Sequence, residues 1–116
     1  LRIGWLCQSG YEWGQHVLIG LKSGLSEEDI EDIKTGPEAE RWSSHDRLLL
    51  RAVDELNADA FLSDDVWLGL KGSYSEPQMM DLVFTVGQYQ LVSMALNTFG
   101  VQLDPGLPAM SQQPTQ

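Results

Sequence analysis

Apolar residues recur along most of this chain at intervals of three and four positions, the spacing that places side chains on one face of an α-helix. No stretch shows the two-residue alternation typical of strands, and no internal repeat is present. The pattern therefore predicts an all-α, multihelical protein. The predicted helical stretches are Leu1 to Ser23 with a junction near Gly10, Ser26 to Gly36, His45 to Phe61, Ser63 to Gly72, and Pro77 to Thr98. Serine caps are predicted at the start of the last four stretches: Ser26, Ser43 or Ser44, Ser63, and Ser75.

The last predicted helix is apolar on nearly every side. Its apolar residues are Met79, Met80, Leu82, Val83, Phe84, Val86, Leu91, Val92, Met94 and Leu96. A helix of this kind is typical of a protein interior, but a domain of this size offers few wholly interior positions. We therefore expect a second subunit to cover one side of this helix.

The length of 116 residues indicates one domain. We assign the helical domain to residues 1–107 and predict that residues 108–116, a Pro/Gln/Ser-rich tail, are disordered or lie over a neighbouring subunit. Leu1 already stands inside an apolar helical pattern with no capping residue before it, so we expect the domain to be truncated at its N-terminus.

Charge and composition narrow the class of partner. The chain has 17 acidic and 7 basic residues, for a net charge of -10, and its basic residues are not clustered. Such a surface is unsuited to nucleic acid or an anionic membrane. Cys7 is the single cysteine, so no disulfide can form within the chain. The sequence shows no leader peptide and no long apolar span, and we therefore predict a cytoplasmic protein. Four tryptophans favour contacts between subunits.

The segment from Tyr11 to His16 holds the strongest candidate for chemistry. Glu12 and His16 are four positions apart, so they share a helix face, and Ser9 extends that face by one turn. A carboxylate beside an imidazole can move protons near neutral pH, although a buried histidine with a structural partner would show the same spacing. A metal site would need further ligands, for which only His45 and its neighbour Asp46 are available.

Tyr89 interrupts the apolar last helix together with two glutamines, Gln88 and Gln90. These groups can hydrogen-bond a small ligand or one another across an interface. Cys7, among apolar neighbours, is typical of an inert buried thiol, and nothing in the sequence assigns it or His45 a role.

Three stretches in this order resemble the carboxymuconolactone decarboxylase family, whose helical fold is shared with alkylhydroperoxidase D. They are Arg2-Ile3-Gly4-Trp5 through Tyr11-Glu12-Trp13 to His16, then Asp46-Arg47 with Leu49-Leu50-Arg51-Ala52-Val53, then Asp81-Leu82-Val83-Phe84. The resemblance covers Leu1 to about Leu107. It implies the alkylhydroperoxidase D-like fold and assembly as a trimer or hexamer.

Alkylhydroperoxidase D members carry a Cys-x-x-Cys motif followed by a histidine. With that histidine at His16, the cysteine positions fall on Ser9 and Glu12, so both thiols are absent. A dithiol peroxidase cycle needs an attacking and a resolving sulfur. Cys7 is offset by two positions and faces elsewhere on a helix. The resemblance therefore points to the non-redox branch of the family, whose upstream glutamate would precede Leu1.

The resemblance implies a lyase that removes carbon dioxide from a small carboxylated substrate, a lactone or keto acid. His16 would be the general acid/base and Glu12 would orient it, with Ser9, Tyr89 and Trp13 contacting substrate. No metal or organic cofactor is implied, because such a substrate can delocalise its own carbanion. The alternative is a non-catalytic, oligomeric or small-molecule-binding relative of alkylhydroperoxidase D.

Overall fold

The computed structural model describes residues 1–110 and contains six helices and no strand within them. The predicted all-α class is therefore confirmed for this part of the chain. The helices are α1 (Arg2–Leu6), α2 (Gly10–Lys22), α3 (Glu27–Thr35), α4 (Ser44–Asp59), α5 (Asp64–Lys71) and α6 (Glu76–Phe99). None of them is both long and apolar enough to cross a membrane.

Serine side chains define where the last four helices begin. Ser26, Ser43, Ser63 and Ser75 each accept a hydrogen bond from the backbone N–H three residues later, which satisfies one of the free donors of the first turn. The predicted caps are thus confirmed. α4 ends two residues before the predicted Phe61, because Ala60 adopts a left-handed conformation, with φ of 56°, and closes the helix.

The first predicted stretch divides into α1 and α2. The break lies just before Gly10, the residue at which the sequence predicts a junction. Gln8 has a positive φ of 54°, and Ser9 is extended at the N-cap position, so Gly10 is the first residue of α2. The turn reverses the chain enough for α1 to contact α2, and α1 also contacts α3, α4 and α6. This five-residue helix consequently lies at the centre of the fold.

Two clusters of buried side chains form the core. The first joins α2 and α3 through Trp13, Val17, Ile30 and Ile33. The second joins α4, α5 and α6 through Ala52, Val66, Leu70 and Met79. Each cluster is completed by partly buried apolar side chains, among them Trp5 and Met110 in the first and Leu49 and Tyr74 in the second.

Arg2 connects three helices through polar contacts near the first cluster. Its guanidinium donates from Nε to Asp54 Oδ1 at 2.7 Å, and from Nη1 to the carbonyl oxygens of Ile33 and Lys34, both at 2.8 Å. These two carbonyls belong to the last turn of α3, where carbonyl oxygens have no hydrogen-bond donor within the helix. One side chain of α1 therefore caps α3 and pairs with α4.

In the single chain, α6 is buried along one side only. Met79, Val86 and Ser93 form its buried side, whereas a second row of large apolar side chains is exposed. The row comprises Met80, Phe84, Leu91 and Met94, each more than half exposed. The helices that contact α6 pack against one face of it and leave the opposite face uncovered in the single chain.

The segment after α6 returns along α2. A Cβ atom at Gly14 would lie 2.5 Å from Leu103 Cδ2 and 2.7 Å from the Pro108 carbonyl oxygen, so only glycine admits this close approach. Met110 packs on the first core cluster. In the single chain, residues 108–110 thus lie beside α2 and the first core cluster, and the rest of the predicted tail, 111–116, lies outside the described residues.

Candidate functional site

The first turn of α2 places a carboxylate where it is available for chemistry. Ser9-Gly10-Tyr11-Glu12 has the Ser-x-x-Glu sequence of a capping box, yet Ser9 makes no side-chain cap hydrogen bond. Capping boxes do form at Ser26–Asp29 and Ser75–Gln78 in the same chain. Glu12 is therefore directed along the helix face instead of back to the helix end.

Glu12 and His16 form the closest carboxylate–imidazole contact of the described residues. Glu12 Oε1 lies 2.7 Å from His16 Nδ1, and the Glu12 carbonyl oxygen lies 3.1 Å from the same nitrogen. Two oxygens around Nδ1 fix the hydrogen on that atom and leave Nε2 as the free nitrogen of the ring. The predicted pair is thus in contact, and its imidazole has one defined orientation.

Burial differs between the two members of the pair. The Glu12 side chain is 8% exposed, whereas that of His16 is 26% exposed, so the carboxylate lies behind the ring and the ring reaches the surface. Gly4 of α1 permits this arrangement, because a Cβ atom at that position would lie 3.2 Å from Glu12 Cγ. The geometry is that of a shielded acid that orients an accessible base.

Tyr89 of α6 also packs against the imidazole of His16. The two rings meet edge to face with their centroids 5.0 Å apart. Tyr89 also lines a shallow surface groove of about 530 Å³, together with Asp81, Phe84, Thr85 and Gln88. The structure therefore brings Glu12, His16 and Tyr89 together, although they come from two helices.

The other two residues predicted to bind substrate occupy different surroundings. Trp13 is 2% exposed and packs with Trp5, with ring centroids 5.3 Å apart, as part of the first core cluster. It borders a separate cavity of about 320 Å³ that is closed on one side by Pro108 and Ala109. Ser9 is fully buried, and its hydroxyl has no hydrogen-bond partner of good geometry among the described residues.

A polar row on α6 is one feature that sequence reasoning missed. Tyr89, Ser93 and Asn97 are spaced four residues apart, so they share a face within an otherwise apolar helix. Ser93 is fully buried, and Asn97 Nδ2 donates to the Cys7 carbonyl oxygen at 2.8 Å. The four-residue spacing was the available signal. This row lies against the break between α1 and α2.

The surroundings of Cys7 disfavour its thiolate form. Burial raises its pKa above the usual value, and this effect outweighs the opposing influence of the neighbouring Ser93 hydroxyl. Because the thiolate is the reactive species, alkylation by iodoacetamide at neutral pH should be slower in the folded protein than in the urea-unfolded chain. The folded rate should rise only at a pH above the ordinary thiol range. A faster rate in the folded state would contradict this assignment.

The second histidine has its own aromatic partner. His45, in the first turn of α4, places Nε2 2.8 Å from the hydroxyl oxygen of Tyr74, and it is partly buried. It is therefore not simply exposed at the helix start. Within residues 1–110, no group of three or more histidine, cysteine or acidic side chains is arranged to hold a metal ion.

Among the described residues, the imidazole of His16 on α2 is thus the one paired with a carboxylate, and Tyr89 with its groove lies beside it. Comparisons of the sequence with protein-family models, with curated proteins and with solved structures found no match.

Proposed function

We propose that this protein is a cofactor-independent lyase that removes carbon dioxide from a small β-keto or lactone acid, similar to the carboxymuconolactone decarboxylase family. The observation that carries the proposal is the Glu12 carboxylate 2.7 Å from His16 Nδ1. This contact leaves Nε2 as the nitrogen that can take up a proton and pass it to the substrate. A base held in this way by a second group is the common arrangement for general acid/base catalysis.

In the proposed reaction, the bond between the substrate carboxylate and the adjacent carbon breaks, and carbon dioxide leaves. The electron pair of that bond passes into the conjugated carbonyl and forms an enolate. Protonated His16 then delivers the Nε2 proton to the carbon, and Glu12 balances the charge of the imidazolium until the proton has moved. The Tyr89 hydroxyl would hold the enolate oxygen.

The groove beside Tyr89 suits this reaction in its charge. Its described lining has one acidic residue, Asp81, and no basic residue. Loss of carbon dioxide disperses the charge of a carboxylate, so an acidic side chain beside the substrate carboxylate raises the free energy of the bound substrate more than that of the transition state. Gln88 and Tyr89 would hold the substrate as neutral donors.

The test is release of carbon dioxide from carboxymuconolactone and from a panel of β-keto and lactone acids. The wild-type protein should turn over at least one of them, and His16→Ala should lower kcat by about 100-fold or more. Glu12→Gln should lower kcat by a smaller factor, because the ring stays in place but its charge is no longer balanced.

The matched control is His45→Ala, which removes the other histidine of the chain. It should keep the turnover of the wild type, and circular dichroism should show the same helix content for all variants. Turnover that survives His16→Ala would overturn the assigned role of this residue.

A second candidate function is a non-catalytic small-molecule-binding or oligomerisation protein. The observation in its favour is that His16 lines neither the cavity beside Trp13 nor the groove beside Tyr89, and the groove approaches it only through Tyr89. In that case the Glu12–His16 contact would serve folding. No acid of the panel would be turned over, and the His16 NMR signals would not respond to any of them.

A further inference from the structure

The exposed apolar row of α6 has the spacing of a helix-packing seam. Met80, Gly87 and Met94 are seven residues apart, and Phe84, Leu91 and Thr98 form a second set with the same interval. Together they alternate by four and three residues, the pattern by which one helix packs against another. All six positions are exposed in the single chain.

Gly87 stands at the middle of this seam and of the helix. Glycine inside a helix costs about 0.5–1 kcal/mol relative to alanine, so its presence calls for a reason. Packing within the chain supplies none, because a Cβ atom there would meet no atom within 4 Å and φ is not positive. Close approach of a second helix backbone is the reason that remains.

We propose that two copies of this chain associate through α6, antiparallel and related by a two-fold axis that passes beside Gly87. The seam is self-complementary in this arrangement. Met80 lies opposite the partner's Met94, and Phe84 lies beside the partner's Leu91, because each pair is nearly equidistant from Gly87. A two-fold contact uses the same surface on both copies, as this symmetry requires.

The distribution of charge favours a second copy of this chain as the partner of the seam, and it favours an antiparallel arrangement of the two helices. Residues 82–103 contain no charged side chain, so two chains of net charge -10 can meet there without direct repulsion. The acids of α6, Glu76 and Asp81, are confined to its first two turns. A parallel pair would place these acids together, whereas an antiparallel pair separates them.

The area of the seam comes close to that of a specific contact. Its four large side chains are each more than half exposed, and at roughly 100–150 Å² apiece they would bury on the order of 1,000 Å² in two copies. That approaches the lower limit for a specific interface before the polar rim is added, and standard interfaces reach about 1,600 Å².

The contact also changes the groove beside His16. Phe84 belongs both to the seam and to the groove lining, so a partner helix on the seam would add a wall that the single chain lacks. This consequence for substrate binding rests on the proposed function. The association itself does not, because it is measured as a mass without any substrate.

The experiment measures molar mass by light scattering for the wild type and for Leu91→Glu. The wild type should have the mass of two chains, or of six if further contacts combine three such pairs, and Leu91→Glu should remove the two-fold contact. The matched control is Leu68→Glu, which places the same charge on a leucine of α5 that is 68% exposed, against 57% for Leu91, and it should leave the mass unchanged.

Cysteine cross-linking tests the geometry of the contact. In a Cys7→Ser background, Gly87→Cys should form a disulfide between chains under mild oxidation, because a two-fold axis beside this residue brings its two copies within bonding reach. Met94→Cys alone should not, since the two copies lie at opposite ends of the seam. Gly72→Cys, at another exposed glycine, is the control without cross-linking.

Three outcomes would overturn the proposal. These are a wild-type mass of one chain, a mass of three chains without the disulfide at position 87, and cross-linking through Met94→Cys in place of Gly87→Cys. A two-chain mass with the disulfide but with no turnover would support the interface and count only against the proposed function.

Discussion

Replacing Trp13 with alanine is expected to lower the free energy of unfolding by about 3–5 kcal/mol, the range for removal of a large aromatic side chain from a core. Trp13 is 2% exposed and contacts Trp5 from α1 as well as residues of α3. Its removal leaves a cavity between three helices that cannot close without moving them. The free energy of unfolding of a whole domain is only about 5–15 kcal/mol.

The measurement is urea unfolding followed by far-ultraviolet circular dichroism, which does not depend on tryptophan fluorescence. Trp67→Ala is the matched control, because Trp67 of α5 is 38% exposed, against 2% for Trp13, and its loss should lower the free energy of unfolding by clearly less. Trp13→Phe keeps an aromatic ring and should fall between the two. Equal losses for Trp13→Ala and Trp67→Ala would contradict the core position of Trp13.

Replacing Arg2 with alanine is expected to lower the free energy of unfolding by about 2–4 kcal/mol. The change removes the partner of the Asp54 carboxylate and leaves the carbonyl oxygens of Ile33 and Lys34 without a donor. The Arg2 side chain is 11% exposed, so water cannot readily take its place. Three helices lose a shared contact at once.

Arg2→Lys should recover only part of this loss, because an ammonium group lacks the planar fork that reaches a carboxylate and two carbonyls together. Arg51→Ala is the matched control. Arg51 is exposed and pairs with Glu55 one turn away at 3.7 Å, so its loss should change the free energy of unfolding by less than about 0.5 kcal/mol. If Arg2→Ala were as mild as this control, the cap on α3 would have no energetic role.

Local signals located most of the helices correctly. Ser26, Ser63 and the Ser75-Glu76-Pro77 turn predicted helix starts that the structure confirms, because a cap depends on a side chain and on backbone groups only three residues away. The first stretch was placed less well. A glycine marked the junction at Gly10, but the positive φ that makes the turn belongs to Gln8.

The part of the candidate site that depends on neighbouring residues of one helix was predictable from the sequence. Glu12 and His16 are on one helix, so their spacing alone predicts that the side chains meet. Tyr89 was singled out only as a polar residue in an apolar helix, and its contact with the imidazole depends on how α6 packs on α2. For Trp13, the family resemblance implies a contact with substrate, and its packing in the first core cluster likewise depends on neighbours from α1 and α3.

The sequence by itself determined the helical class, the caps and the Glu12–His16 pair, because each depends on groups within about one helical turn. Only the tertiary structure decided which residues lie beside them. Arg2 reaches α3 and α4, the segment 103–110 covers α2, and one face of α6 stays exposed. These features arise between segments distant in the chain, where the outcome depends on how whole helices share the limited apolar surface available for burial.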